Sequence, residues 1–150
     1  MATDSPLNVE GARGFVLRWC AALDMHMESA ELGEFLASAG LVFGFPHRLV
    51  RDRDEFEQWY DEVTTVFFDE VREVRGIEVE LTSPLHAEVR ARVNWQARTW
   101  DPPAPRSQWI GCDWVEELSV VLQDGAPKIR TRRLREPEPM PGSPRLYEVS

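Results

Sequence analysis

The stretch RVNWQARTWDPPAPRSQWIGCDW, residues 92–114, holds four of the six tryptophans of this 150-residue chain. Its two ends read as β-strands, and three of the chain's eleven prolines stiffen the connection between them. In the first strand Val93, Trp95 and Ala97 alternate with polar residues, the period of two expected of a strand with one buried face. A sheet with so much indole on one face is expected to wrap around an apolar interior.

The same period of two extends on both sides of this stretch. It predicts strands from Gly76 onward, over residues 89–97, over 109–122 and over 128–134, with a turn signal at Asp124-Gly125 before the last strand. From residue 136 onward the chain carries four prolines and little periodicity. That composition predicts an extended C-terminal tail over residues 136–150, after a single domain over 1–135.

Three helices are predicted before these strands. Ser5-Pro6 reads as a helix start, and an apolar stripe follows at steps of three and four: Val9, Ala12, Val16, Trp19 and Leu23. Ser29 is expected to cap a second, shorter helix that Gly40 closes. Asp52 and Glu55 form a capping box for a third helix, whose apolar face comprises Phe56, Trp59, Tyr60, Val63 and Phe67. Residues 41–46 and 48–52 read as two short strands, or one bent strand broken at Pro46-His47.

Composition narrows the classes of partner. Seventeen basic and 26 acidic residues give a net charge of -9, which repels nucleic acid and anionic membrane surfaces. No segment approaches the ~20 apolar residues of a membrane-spanning helix, and the N-terminus does not resemble a signal peptide, so a cytoplasmic location is expected. Cys20 and Cys112 form no metal-binding motif and read as buried thiols, or as one disulfide between them. We expect no metal and no cofactor.

The order of elements predicts an α+β domain, and it resembles a known superfamily. The segments RWCAALD, LVFGFP, LVRDRDEFEQWY and LQDGAPKIRTRRL are similar to nuclear transport factor 2-like proteins, in particular their SnoaL-like and ketosteroid-isomerase-like branches, over about residues 8–135. This resemblance implies a cone in which three N-terminal helices pack on a curved, mostly antiparallel sheet. It also implies a homodimer formed through the convex face, for which Asn94, Gln96, Arg98 and Trp109 are suitable residues.

Glu116 is the first candidate for proton transfer. It is the one polar residue in the apolar alternation of residues 110–122, between Trp114 and Leu118, and burial there would raise its pKa towards the range of a general acid or base. The alternative is a structural pair with an arginine of the neighbouring strand. Asp113 and Glu117 point to the opposite face and replace Glu116 if that face lines the interior. SnoaL-like cyclases use an aspartate on a late strand, which keeps Asp113 a candidate by resemblance.

Histidines and arginines supply further candidates. By resemblance to the fold, His47 lies near the cavity mouth, where it could shuttle protons; a surface histidine is the alternative. His26 and His86 read as loop residues. By analogy with the fold, Arg130 and Arg132 could face inward and hold a carboxylate or phenolate, or pair with an interior acid. An exposed strand face is the alternative for both arginines.

The resemblance also implies positions at which the isomerase chemistry is missing. Trp19 occupies the place of a tyrosine that donates to an oxyanion; an indole could orient a carbonyl but cannot supply a proton, and core packing is the alternative role. Phe45 stands where the isomerases carry their aspartate base, and Ser119 falls near the third isomerase position. We expect the cavity walls to include Trp19, Phe45, Tyr60, Trp95 and Trp114.

Two functions follow as expectations. The first is a small-molecule pocket protein of the SnoaL-like type that binds or converts an apolar or aromatic compound by acid–base chemistry without a cofactor: isomerisation, dehydration or cyclisation. The second is a non-catalytic ligand-binding or dimerisation module whose cavity is filled by its own side chains.

Overall fold

The fold is known from a computed structural model that describes residues 6–45 and 48–145. Helix α1 is Val9–Asp24; α2 is Ser29–Leu32, followed by one turn of 3₁₀-helix at Gly33–Phe35; and α3 is Arg53–Val66. The strands are β1 Val42–Phe45, β2 Arg48–Val50, β3 Phe67–Ser83, β4 His86–Thr99, β5 Gln108–Gln123 and β6 Ala126–Pro139.

The six strands form one sheet in the order β2-β1-β6-β5-β4-β3, in which only the β1–β6 pair is parallel within the described part of the chain. Bulges interrupt the β3–β4 pairing at three places and the β5–β6 pairing at two. A bulge bends its strand and increases the local twist, so these irregularities curve the long strands. The predicted α+β class and the three helices on a curved, mostly antiparallel sheet are confirmed.

The concave face of the sheet carries the predicted apolar alternation. Trp95 and Trp114 are 2% and 5% exposed, and most other concave-face residues of β4 and β5 are also buried. Trp19 and Val16 of α1 belong to the same hydrophobic core as Val89 of β4 and Leu118 of β5. The helices therefore cover the apolar face of the sheet, which the alternation of apolar and polar residues predicts to be buried.

Several predicted helix ends are wrong by a few residues. Ser5 lies outside the described residues, and α1 begins at Val9, where the side chain of Asn8 accepts from the Gly11 N–H. Asparagine caps a helix as well as serine does. Ser29 is the first residue of the second helix rather than its cap; Glu28 is at the N-cap position without a side-chain capping bond, and the helix ends at Leu32, well before Gly40. The third helix is confirmed, because the Asp52 carboxylate accepts from the Glu55 N–H at 2.8 Å.

Strands β3 and β6 are longer than their periodicity predicts. β3 begins at Phe67, which was expected to continue the third helix, and its polar first half pairs with β4 as far as Thr99. β6 continues through Pro139, opposite Cys112 of β5. Asp124 and Gly125 form the turn before β6 with φ angles of 53° and 77°, the left-handed pair that a two-residue hairpin turn requires.

The convex face of the sheet carries a row of side-chain hydrogen bonds. Trp109 Nε1 donates to Gln96 Oε1, Gln96 Nε2 donates to Asn94 Oδ1, and Asn94 Nδ2 donates to Asp113 Oδ1. Asn94 is nonetheless only 2% exposed, because the segment after β6 returns over this face and brings Met140 Sδ to 3.2 Å from its amide. The polar residues between the apolar ones are therefore used to build a second, hydrogen-bonded surface.

Candidate functional site

The first polar cluster on the concave face is a buried ion pair. Glu116 of β5 and Arg132 of β6 have side chains that are each 1% exposed. Arg132 donates through Nε to Glu116 Oε2 at 3.1 Å and through Nη2 to Oε1 at 2.9 Å, and Trp114 Nε1 donates to Oε1 at 2.9 Å. Leu118, rather than Glu116, is the direct partner of Arg132 across the strands, so the long arginine side chain reaches Glu116 diagonally.

This pairing reverses the expected titration of Glu116. Burial by itself raises the pKa of this carboxyl group, but attraction to Arg132, the two hydrogen bonds from its guanidinium, nearby Arg72 and the Trp114 N–H together lower it below the ordinary value. The expectation of a raised pKa is therefore wrong, because the arginine of the neighbouring strand outweighs desolvation. A paired carboxylate with a lowered pKa is a poor proton carrier at neutral pH.

A bulge decides which arginine of β6 faces inward. Ser119 pairs with Thr131, and Val120 pairs with Ile129, so Arg130 is the extra residue between the two pairs. The side chains of Ile129 and Arg132 are both buried as a result, whereas Arg130 is exposed. The prediction that Arg130 faces the interior as a ligand-binding residue is wrong; Arg132 alone of the two does so.

Asp113 lies on the convex face. Its side chain is 50% exposed, accepts from Asn94 Nδ2 and lies 3.6 Å from Arg75 Nη1. The structure therefore brings Glu116 into the interior and leaves Asp113 outside, because adjacent strand residues point to opposite faces. Asp113 thus points away from Glu116, as the alternation predicts, and the alternative in which its face lines the interior and Asp113 replaces Glu116 as the proton-transfer group is wrong.

A second polar cluster is centred on Glu70 of β3, whose side chain is 6% exposed. Its carboxylate accepts from Trp95 Nε1 at 2.9 Å, lies 3.2 Å from Arg72 Nη1, and makes a 2.5 Å hydrogen bond with His26 Nε2. Since a carboxylate can only accept, Nε2 carries the proton of this last bond, and in the neutral tautomer that this bond favours the lone pair is on Nδ1. Nδ1 has no hydrogen-bond partner within residues 6–45 and 48–145.

Arg72 joins this cluster to the end of α1. Asp24 accepts from Arg72 Nη1 at 2.7 Å through Oδ1 and from the Arg72 backbone N–H at 2.9 Å through Oδ2. The guanidinium thus lies between two carboxylates, those of Asp24 and Glu70, with its own side chain 7% exposed. This arrangement fixes β3 against the helix end that carries His26.

His26 occupies a position at which glycine is the usual residue. Its N–H donates to Leu23 O and that of Met27 donates to Ala22 O, the pair of bonds that closes a helix in a Schellman motif. The residue at the centre of this motif must be left-handed, and His26 has a φ of 52°. A side chain there costs roughly 1 kcal/mol relative to glycine. Strain of this kind is concentrated at functional sites, which supports a role for the imidazole.

Comparison with solved structures gives a consistent fold. A proposed scytalone dehydratase from Novosphingobium aromaticivorans has a TM-score of 0.69 and 20% identity over 84% of this chain and 81% of that chain. A LinA-type hexachlorocyclohexane dehydrochlorinase from Novosphingobium barchaimii gives 0.71 and 11% identity over 89% and 90%. A nuclear transport factor 2-like superfamily protein from Salmonella enterica gives 0.71 and 13% over 83% and 87%.

This chain has the nuclear transport factor 2-like fold. The result confirms the fold that the sequence resemblance implies. No protein-family model matches the sequence, and no curated protein matches it either.

Within this nuclear transport factor 2-like fold the predicted wall residues fall into two groups. Trp95 and Trp114 contact each other at 5.6 Å between ring centroids and hold the two carboxylates through their indole N–H groups. Trp19 is fully buried against Phe35, Phe43 and Phe56. Its Nε1 has no partner among the residues described. Of the two roles considered for Trp19, orientation of a substrate carbonyl and core packing, the structure supports core packing.

Tyr60 supports the segment that carries His26. It stacks on Phe56, and its hydroxyl donates to the carbonyl oxygen of Met27, the residue after His26. Burial and then the nearby Glu70 raise the pKa of Tyr60 to about 12. Phe45 ends β1, while the predicted site residue His47 lies outside the described residues.

Sequence reasoning missed His26, Glu70 and Arg72. His26 was expected to be a loop residue, and residues 67–75 were too polar to show a strand period. Asp69 has a φ of 52° at a bulge in β3, and this bulge turns Glu70 towards the interior. The available signal was a histidine, instead of the usual glycine, directly after the apolar stripe of α1.

The described residues contain no group of three His, Cys, Asp or Glu side chains that could hold a metal ion. Nor is any helix among residues 6–45 and 48–145 long and apolar enough to cross a membrane. The two clusters contain carboxylates, guanidinium groups and indoles, and the second also contains the imidazole of His26.

Proposed function

We propose that this chain catalyses cofactor-independent proton transfer on a small apolar or aromatic molecule held against the concave face of the sheet. The reaction class is isomerisation or elimination, as in pocket proteins of the SnoaL-like type. His26 is the general base, Glu70 orients it, and Trp95 and Tyr60 form walls of the site. The 2.5 Å contact of His26 Nε2 with Glu70 is the observation on which the proposal depends.

The geometry suits a base for three reasons. Glu70 fixes the imidazole in the tautomer that leaves Nδ1 able to accept a proton, the same division of roles as in nucleophile–base–acid triads. The His26 side chain is 29% exposed, so a ligand can reach it. The Glu116 side chain is almost fully buried, so a ligand cannot. Asp24, Glu70 and Arg72, two carboxylates and one guanidinium, lie directly behind His26 and hold the segment that carries it in place.

The fold supports the same reaction class. The solved structures with this fold include a proposed scytalone dehydratase and a hexachlorocyclohexane dehydrochlorinase, two names that describe eliminations. A base-promoted elimination includes the removal of a proton from carbon, which a side-chain base can perform without a cofactor. The His26–Glu70 pair provides such a base in this chain.

The experiment is deuterium exchange, because it detects proton abstraction before the true substrate is known. The protein is incubated in D₂O with a panel of uncharged ketones whose α-carbon is benzylic, such as 2-tetralone, and deuterium incorporation at the α-carbon is followed by NMR. His26 Nδ1 takes the α-proton, the electron pair moves to the carbonyl oxygen, and the enolate returns to the ketone with a solvent deuteron. A general base typically contributes 10²- to 10⁴-fold, so His26→Asn should lower exchange by about that factor.

A second histidine provides the matched control. His86 Nε2 lies 2.7 Å from Glu88, and its side chain is 27% exposed, close to the values for His26, but it lies at the start of β4. His86→Asn should exchange like the wild type. Equal rates in wild type and His26→Asn would refute the assignment of the base, and equal losses in the two variants would show that the effect is not local.

A non-catalytic module is the second candidate function. The Trp19 ring contacts those of Phe35, Phe43 and Phe56, and Glu116 pairs with Arg132, as expected of an interior filled by its own side chains. Titration with hydrophobic aromatic compounds distinguishes the two functions. A filled interior predicts no change in tryptophan fluorescence or melting temperature, whereas a ligand site predicts both.

A further inference from the structure

We infer that the His26 site accepts uncharged aromatic molecules and excludes organic anions. The inference rests on the proposed function for the place of the site and adds the charge of its ligand. It depends on the balance of charges among the described residues on the concave side of the fold, where the carboxylates of Asp24, Glu70 and Glu116 pair with two guanidinium groups, those of Arg72 and Arg132.

The cluster next to His26 is short of positive charge. Arg72 Nη1 lies 2.7 Å from Asp24 and 3.2 Å from Glu70, so a single guanidinium serves two carboxylates. The Arg72 and Glu70 side chains are 7% and 6% exposed, which weakens the screening of this imbalance by water and salt. An anionic group placed beside His26 would meet a net negative charge at short range.

The other interior guanidinium is committed to Glu116. Arg132 holds Glu116 through two nitrogen atoms, and the rings of Phe43 and Trp59 lie 5.7 and 6.0 Å from its guanidinium carbon. An incoming carboxylate that competed for Arg132 would weaken its two bonds to Glu116 and leave that buried carboxylate poorly compensated. Breaking a buried pair in this way is strongly unfavourable.

Uncharged aromatic molecules meet none of these penalties. The Trp95 ring contacts Phe67 edge-on at 5.0 Å and Trp114 at 5.6 Å, so rings surround the Glu70 carboxylate on its β4 side. These rings are buried and make the surroundings of the Glu70 carboxylate apolar, so an uncharged ring placed beside His26 gains from burial and dispersion and meets no repulsion. The overall charge of -9 adds a weaker, long-range repulsion of anions, which salt screens.

Two dyes with the same ring system test the inference. N-phenyl-1-naphthylamine is uncharged, and 8-anilino-1-naphthalenesulfonate differs from it by a sulfonate group. Both gain fluorescence in an apolar site, so their dissociation constants can be compared in titrations of the wild-type chain at 0.15 M salt or above. We expect the uncharged dye to bind at least about tenfold more tightly than the sulfonate. Equal affinities would overturn the inference.

Variants with the same change of net charge locate the effect. Glu70→Gln removes a carboxylate beside His26, and it should narrow the affinity ratio of the two dyes by about threefold or more. Glu117→Gln removes one from the convex face, where Glu117 pairs with Arg135 and Arg90, and should leave the ratio unchanged. Asp24→Asn, whose side chain is 22% exposed, serves as a second interior variant if Glu70→Gln does not fold. Equal changes with Glu70→Gln and Glu117→Gln would overturn the inference.

The outcomes separate this inference from the proposed function. Deuterium exchange that depends on His26, together with equal binding of the two dyes, would leave the base in place and refute the charge selection. Failure of both dyes to bind, with no exchange, would refute the two proposals together.

Discussion

Replacement of Glu116 by glutamine should destabilise the fold strongly while leaving its shape intact. The variant keeps the volume and one acceptor oxygen of the side chain but leaves the Arg132 guanidinium, 1% exposed, without its counter-ion. Breaking a buried ion pair on one side costs about 3–5 kcal/mol, because the remaining charge stays desolvated. Domains of this size are stable by only about 5–15 kcal/mol, so the loss is a large fraction of the total.

Urea unfolding followed by tryptophan fluorescence measures this loss. With a slope of about 2 kcal/mol per molar urea, the midpoint should fall by roughly 2 M. The double variant Glu116→Leu/Arg132→Met should recover most of the stability, because it removes both charges and keeps the volume. The control is Glu117→Gln on the convex face, where exposed pairs contribute about 0–1 kcal/mol and the midpoint should hardly move.

The difference between wild type and Glu116→Gln should also depend on pH. Burial raises the pKa of Glu116, but Arg132, Arg72 and the Trp114 N–H outweigh it, so that the pKa in the folded state lies below the ordinary 4.5. A carboxyl group of this kind contributes stability that is complete above its unfolded pKa and is lost as the pH falls through its folded pKa. The two proteins should therefore differ most above pH 4.5 and converge in stronger acid.

Two results would refute this reasoning. A loss of less than about 1 kcal/mol would show that water reaches the pair and screens it as it does an exposed one. A difference that grows as the pH falls below 4.5 would show that the folded state raises the pKa of Glu116, in which case the group would again be a candidate acid.

Three further predictions concern local features. Burial raises the pKa of Cys20 to about 12 and that of Cys112 to about 11, so neither thiol should react with Ellman's reagent at pH 8 until urea is added; rapid release of one equivalent from the native chain would contradict this. Asp52→Ala removes the cap of α3 and should cost about 1 kcal/mol in urea unfolding, whereas Asp52→Asn should restore most of it. Gly125→Ala places a side chain at a φ of 77° and should cost about 1 kcal/mol, and an unchanged unfolding midpoint would argue against the left-handed turn.

The sequence by itself determined the elements whose signals are local. The alternation in residues 89–97 and 109–122 fixed two strands and their buried faces, since successive strand residues must point to opposite sides. The Asp52 cap and the apolar stripe of α1 fixed two helices in the same way, apart from their exact ends. The period also placed Glu116 on the concave face and Asp113 on the convex one, provided that the apolar face was the inner one.

Only the tertiary structure decided the chemistry of the site. The bulge at Arg130 selected Arg132 as the partner of Glu116 and so changed the direction of the Glu116 pKa shift. His26 and Glu70 are 44 residues apart in sequence. They meet because His26 adopts a left-handed backbone conformation just after α1 and because β3 contains a bulge at Asp69. Charges and hydrogen bonds join residues that are distant in sequence, so their partners depend on strand register and on bulges. The alternation of apolar and polar residues within one strand predicts neither of these.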